Sequence, residues 1–296
     1  MTENKRVIAL GFFDGVHRGH QALLKKTVEI ASERRAAASV ISFDVHPDRV
    51  VFGSDIRLLN TVSGRHELIR QTSGINDIIT IHFDRRLMET PWNEFLTMLK
   101  KELGAVHLVL GRDFCCGWRG LGNSERICAW GAENSVGVDV IDDVVFNGVT
   151  VRSTYIRELI AAGEIEKANA FLGHAHMLLD TVGSGYKIGR KIGAPTINTR
   201  IPKDVLVPKF GVYATKVWLA DGAHPAVTNI GVRPTFGLDD NITVESNILN
   251  FSGDLYGQQV RLEFFSYLRE EKKFDSAEEL AAQIQLDIRQ TEGVFA

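Results

Sequence analysis

The chain has 296 residues, 44% of them hydrophobic and 24% charged, with 27 glycines and 7 prolines. That composition excludes a collagen, a coiled coil or a disordered chain, and at about 100–200 residues per domain the length predicts two domains. Thirty-four basic against 37 acidic residues leave a formal charge of −3, which argues against a nucleic-acid-binding surface.

The first apolar run, Val7 to Phe13, stops at Asp14 and reads as a buried strand rather than a signal peptide. A helical pattern follows from about Gly19 to Arg35. Ala38 to Phe43, Ile78 to Phe83 and Val106 to Leu110 are further strands, with helices near Pro91–Leu103 and Ser124–Ser135. Strands alternating with helices predict a parallel sheet covered on both faces. Gly11 and Gly111, just past strand ends, mark the edge where such sheets place ligands. Cys115, Cys116 and Cys128 form no CxxC pair and are odd in number, which fits reduced thiols in a cytoplasm.

From about His176 the rhythm changes. Val212 to Trp218, Ile242 to Ile248 and Gln259 to Phe265 are strand-length and rich in β-branched or aromatic residues, with turn signals at Ala220-Asp221-Gly222 and Ser252-Gly253-Asp254. This spacing predicts an antiparallel barrel or sandwich. Ser276 and Glu279 form a capping box that opens a last helix, and Leu280, Ile284 and Ile288 make its apolar stripe. No run of about eighteen apolar residues predicts a transmembrane helix, so no membrane partner is expected.

Between the first strand and the first helix lies Gly11-Phe12-Phe13-Asp14-Gly15-Val16-His17-Arg18-Gly19-His20. Glycine between the histidines lets both imidazoles face one ligand, and free amides at a helix start favour an anion. Adenylyl transfer needs such donors, because negative charge grows on the α-phosphate and on the departing pyrophosphate. Two other readings are a pair of solvated histidines at a helix cap, and a metal pair with no third ligand nearby. The stretch resembles the HxGH signature of nucleotidyltransferases, and its FDGVHRGH core resembles bacterial FAD synthetases, the bifunctional riboflavin kinase/FMN adenylyltransferases. The resemblance continues through Phe43-Asp44-Val45-His46-Pro47, Gly111-Arg112-Asp113-Phe114 and Arg152-Ser153-Thr154-Tyr155-Ile156-Arg157. It implies catalytic His17 and His20, with nucleotide and phosphate bound by Gly11, Phe13, Asp14, Gly15, Gly19, Asp113, Ser153, Thr154 and Arg157.

In the second half, Gly183-Ser184-Gly185-Tyr186-Lys187-Ile188-Gly189-Arg190 has neither the GxGxxG spacing nor the GK[ST] ending of a P-loop. It reads either as a loop that touches phosphates through backbone amides or as a flexible hairpin. In Pro195-Thr196-Ile197-Asn198 an extended backbone puts Thr196 and Asn198 on one side, offering neutral oxygens suited to Mg²⁺. The alternative is a polar turn. This stretch resembles the PTxN motif of riboflavin kinases, and the likeness runs on through Asn229 to Phe236, Val244-Glu245, Asp254 to Gly257 and Leu268 to Phe274. It implies that Thr196 and Asn198 hold Mg²⁺ with ATP, and that Gly183, Gly185, Gly189 and Arg190 contact phosphates. It also makes Glu245 the general base for the ribityl 5′-hydroxyl.

The pattern departs from the family in four places. Cys115-Cys116 precede Gly117 where a second aromatic is usual, Tyr155 stands where arginine is common, and Gly173-His174-Ala175 replaces a G-R-P junction. Ser246 to Phe251 differs from T-H-L-L-D-F. The resemblance implies an α/β plus β chain. A Rossmann-like nucleotidyltransferase domain, a parallel sheet with flanking helices, spans 1–174. An antiparallel riboflavin-kinase-like β-barrel with a C-terminal helix spans 175–296. The expected chemistry converts riboflavin to FMN and FMN to FAD, each with ATP. The alternatives are a kinase whose first domain only binds nucleotide, and a flavin-sensing module without turnover.

Overall fold

The computed structural model describes residues 5–183, 196–232 and 242–296. The chain divides into two compact units, Met1–Arg57 with Arg65–Arg152, and Leu58–Gly64 with Ser153–Ala296.

The first part of the chain runs β1 (Arg6–Leu10), α1 (Arg18–Arg34), β2 (Ala37–Phe43), α2 (Pro47–Phe52), α3 (Val62–Ser73), β3 (Asp77–Ile81), α4 (Arg85–Glu89) and α5 (Trp92–Leu103). It continues with β4 (Ala105–Gly111), the hairpin β5 (Cys115–Cys116) and β6 (Gly122–Asn123), then α6 (Ser124–Asn134) and β7 (Gly137–Ile141). A second hairpin, β8 (Val145–Phe146) and β9 (Val149–Thr150), closes it. The strands form a parallel sheet in the order β3-β2-β1-β4-β7. Central β1 is buried on both faces, which is why its sequence is a continuous apolar run rather than an alternating one. Helix α1 buries Leu23, Leu24, Thr27, Ile30 and Ala31, spaced at three and four residues as a single face requires. Strand β3 stops short of the expected Phe83 because the Asp44 carboxylate takes over the pairing. It accepts from the Phe83 N–H at 3.1 Å and lies 2.7 Å from His82 Nδ1.

The second unit contains α7 (Ser153–Ala162), α8 (Ile165–Leu172), β10 (His176–Thr181), β11 (Thr196–Thr199), β12 (Gly211–Leu219), β13 (Gly222–Val232), β14 (Ile242–Ile248), β15 (Gln259–Arg269) and α9 (Ala277–Phe295). Its antiparallel sheet has the order β10-β15-β12-β13-β14-β11. A bridge in which the Gly183 N–H donates to the Asn198 carbonyl at 2.8 Å links the two outermost strands and closes the sheet into the expected barrel. Strand β13, which the sequence did not predict, contains Pro225, a residue that ordinarily argues against an inner strand. Pro225 is tolerated because it lies one residue beyond the last ladder pair with β14, Ala226–Ile248.

Helix α9 opens as expected, with Ser276 Oγ accepting from the Glu279 N–H at 3.1 Å. Its most buried residues, however, are Asp287 and Thr291 rather than the apolar stripe, whose Leu280, Ile284 and Ile288 are half-buried. Asp287 takes a two-point ion pair from Arg269 of β15, at 2.9 and 2.7 Å, and a further bond from Gln283 at 2.9 Å. A buried carboxylate needs such a set of donors, and a planar guanidinium supplies two of them at once. No helix among the described residues is long and apolar enough to cross a membrane.

Candidate active sites

The strand order reverses at β1, whose neighbours are β2 on one side and β4 on the other. The crevice outside the carboxyl ends of β1 and β4 is therefore the expected ligand position. After Leu10 the chain makes a tight turn with positive φ at Phe13 (61°), Gly15 (77°) and Val16 (42°). For a β-branched residue such a φ is a strained conformation, of the kind that concentrates at functional sites. Burial of Phe13, Asp14 and Val16, together with bonds from the Val16 N–H to the Phe13 carbonyl (3.1 Å) and from Gln21 Nε2 to the Val16 carbonyl (2.9 Å), holds the turn.

The turn delivers His17 as the N-cap of α1, its Nδ1 accepting from the His20 N–H at 3.4 Å. The two imidazoles stack with centroids 3.7 Å apart and planes 14° from parallel. Gly19 permits this, since a Cβ there would sit 3.2 Å from the His17 ring. His17 is only 7% exposed, so the pair is not a solvated helix cap. Burial, then the neighbouring His17 and Arg65, hold the His20 pKa well below its ordinary value. His20 Nδ1 is buried with no hydrogen-bond partner among the described residues.

Arg65 of α3 is 1% exposed and lies behind this turn. Its Nη1 donates to the carbonyls of Phe12 (2.6 Å) and Phe43 (2.9 Å) and to Ser42 Oγ (2.8 Å). Its guanidinium carbon lies 4.0 Å from the centroid of the Phe12 ring. Burial lowers its pKa to about 10, against the opposing pull of Asp14 and Asp44. Sequence reasoning missed Arg65, because an arginine in a polar helix start looks like one more solvated cation.

At the end of β4 the Phe114 N–H closes a turn onto the Gly111 carbonyl at 3.1 Å, leaving Asp113 exposed. Glu89, Pro91, Trp92, Asn93, Trp118 and Leu121 line an open, largely apolar cleft of about 520 Å³ beside the β5–β6 hairpin. Gly117 in that hairpin has φ 72° and ψ −177°, and a Cβ there would fall 2.4 Å from the Trp92 backbone nitrogen. Gly117→Ala is therefore expected to destabilise this unit by about 1–3 kcal/mol, read as a lower thermal midpoint.

Ser153, Thr154 and Arg157 lie at the start of α7, which clusters with the second unit. Tyr155, where the family commonly has arginine, packs edge-on against Phe171 of α8 with ring centroids 5.1 Å apart. His176 is buried against Phe264, and burial takes its pKa down to about 3, so it is a neutral packing residue.

On the barrel, Val244, Ser246 and Ile248 of β14 are buried and Glu245 and Asn247 alternate with them on the half-buried face. Ladder register makes Asn198 and Glu245 direct partners, and Thr196 faces Asn247. Asn229 of β13 flanks Glu245 on its other side, so Asn198, Glu245 and Asn229 form one polar row across three strands. Asn229 Nδ2 donates to Glu271 Oε1 at 2.9 Å. Thr196 also lines a recess with Val182, Phe251, Leu255 and Tyr256. The structure thus brings together Thr196, Asn198 and Glu245 and adds Asn229, which spacing alone did not single out. Gly183 lies at the barrel closure beside Asn198. Gly185, Gly189 and Arg190 lie outside the described residues. Among the described residues no cluster of three His, Cys, Asp or Glu side chains has metal-site geometry.

Comparison with known proteins matches both halves. The FAD synthetase family model covers residues 1–155 and the riboflavin kinase (Flavokinase) model covers 172–295. A bifunctional riboflavin kinase/FMN adenylyltransferase of Listeria monocytogenes is 33% identical over 297 residues, covering 100% of this chain and 94% of the relative. One from Bacillus subtilis is 30% identical, covering 96% and 90%. A crystal structure described as a macrolide-efflux protein from Streptococcus pneumoniae superposes with a TM-score of 0.85 at 26% identity, covering 99% of this chain and 95% of that one. With an FAD synthetase domain over its first half and full-length relatives that share both domains, this chain belongs to the bifunctional riboflavin kinase/FMN adenylyltransferase family.

Proposed function

We propose that the chain makes flavin cofactors in two ATP-dependent steps, with the residues of each step assigned as follows. In the kinase step Glu245 takes the proton from the ribityl 5′-hydroxyl of riboflavin. The freed oxygen attacks the γ-phosphorus of ATP, and FMN and ADP leave. The observation that carries this assignment is the Asn198–Glu245 ladder pair, which sets a neutral oxygen donor directly across from the carboxylate. Thr196 and Asn198 lie two apart on the same strand, and their hard neutral oxygens fit Mg²⁺, which when bound neutralises phosphate charge.

In the second step an FMN phosphate oxygen attacks the α-phosphorus of ATP and pyrophosphate leaves. His17 and His20, stacked at the switch point, stabilise the charge that develops. The free amides at the start of α1 and the turn from Gly11 to Gly19, with Asp113, complete the nucleotide side of this site in the first unit, and family resemblance assigns phosphate contacts to Ser153, Thr154 and Arg157. The apolar cleft between Trp92 and Trp118 has the chemistry to take the planar isoalloxazine ring.

Names of the full-length relatives carry both activities, which supports two turnovers over a kinase-only chain or a sensor. We place the functional boundary near residue 174, a reading supported by the riboflavin kinase match that begins at 172. The unpaired cysteines favour the cytoplasm as its compartment. To test the reading, purified protein is incubated with Mg²⁺, ATP and either riboflavin or FMN, and the products are separated by chromatography. FMN and FAD are expected from riboflavin and FAD from FMN. FMN alone would reduce the chain to a kinase, and neither product would leave a sensor.

A further inference from the structure

Strands β1 and β2 run side by side as far as the bond from the Gly11 N–H to the Ile41 carbonyl at 3.3 Å, and then diverge. Beyond that point the carbonyls of Phe12 and Phe43 lose the backbone donors that strand pairing would supply. Arg65 takes their place, with one nitrogen touching both carbonyls and the Ser42 hydroxyl, while Ser42 Oγ itself donates to the Phe12 carbonyl at 3.0 Å. Phe12 is thereby clamped from two sides, through its carbonyl and through its ring under the guanidinium. It is the residue immediately before the strained Phe13–Val16 turn, and that turn sets where His17 and His20 stand.

A β-branched residue at positive φ relaxes unless its surroundings over-determine it. Burying a guanidinium so completely is costly, the more so because Nε and Nη2 have no hydrogen-bond partner among the described residues. A solvated lysine or an apolar side chain would avoid that cost, but an apolar side chain would leave the Phe43 carbonyl without this donor. We infer that Arg65 is a positioning residue for adenylyl transfer. By tying Phe12 to the end of β2 it holds the strained turn that presents the stacked His17–His20 pair. At 1% exposure it acts through the histidines rather than by touching substrate. This inference rests on the assignment of the two histidines to that step.

The test compares Arg65→Met and Arg65→Lys in the full-length protein, alone and in a His17→Ala/His20→Ala background. Arg65→Met should lower kcat for FMN adenylylation by about 10²-fold, the scale of a displaced catalytic group, with KM for ATP and FMN nearly unchanged. Arg65→Lys, which keeps the charge and one donor head, should recover part of the loss. Riboflavin phosphorylation by the same preparations should stay at the wild-type rate and report that each variant is folded. In the double-alanine background Arg65→Met should cost nothing further, because its effect passes through the imidazoles.

An additive loss in that background, a rise in KM at constant kcat, or a parallel fall of both activities in both variants would each overturn the inference. So would undiminished adenylylation by Arg65→Met. The histidine assignment fails separately, if the double-alanine protein with native Arg65 still makes FAD at the wild-type rate.

Discussion

Replacing His17 and His20 together with alanine should lower FAD formation from FMN by at least about 10³-fold, since removing a single oxyanion donor typically costs about 10²–10³ in kcat. The stacked arrangement explains why the pair should act as a unit. With centroids 3.7 Å apart, the two rings address one ligand position, and His17 also caps the helix that carries His20. Burial, then the neighbouring His17 and Arg65, push the His20 pKa down and so favour its neutral form. The variant should still phosphorylate riboflavin, because Thr196, Asn198 and Glu245, the residues proposed for the kinase step, all belong to the second unit. Chromatography of a reaction fed with riboflavin should therefore show FMN accumulating without FAD. Continued FAD formation at the wild-type rate would remove the histidines from the chemistry.

Glu245→Gln should have the opposite selectivity. The glutamine keeps the shape of the side chain on β14 and cannot accept the hydroxyl proton, so riboflavin phosphorylation should fall by about 10²–10⁴-fold. FMN supplied from outside should still become FAD. Asn198→Ala, at the partner position across the ladder, should also slow the kinase and raise the Mg²⁺ concentration needed for half-maximal rate. Parallel assays with riboflavin and with FMN distinguish the two sets of variants. A Glu245→Gln protein that phosphorylates riboflavin normally would rule out that residue as the base.

The residues proposed to carry the chemistry stood out in the sequence because transfer chemistry demands particular side chains at short spacings. His17 and His20 are three apart, Thr196 and Asn198 two apart, and each pair can be read within one turn or one strand. The fold class was legible for a similar local reason. Runs such as Val7 to Leu10, buried on both sides, and the alternation in Gln259 to Phe265 reflect how many faces of each strand are covered. The misses are equally instructive. Strand β13 was not predicted, and the tolerance of its Pro225 depends on where β14 ends. The buried centre of α9 was sought in its leucine and isoleucines and proved to be Asp287, because Arg269 on β15, with Gln283, makes burial of that carboxylate feasible.

Composition, the short motifs and the local periodicity thus determined by themselves that this protein has a parallel α/β half and an antiparallel half, with a transfer site proposed in each. Tertiary structure alone decided which distant residues support those sites. Arg65 reaches Phe12 across 53 positions, and the partner of Asn198 is Glu245 only because of the register between β11 and β14. The physical reason is one of range. Backbone propensity and solvent exposure act between neighbours, so they leave their pattern in the sequence. A buried ion pair, a carbonyl clamp or a ladder register is fixed by what the folded chain brings alongside, and a charged or polar residue in the sequence looks the same whether it meets water or a partner.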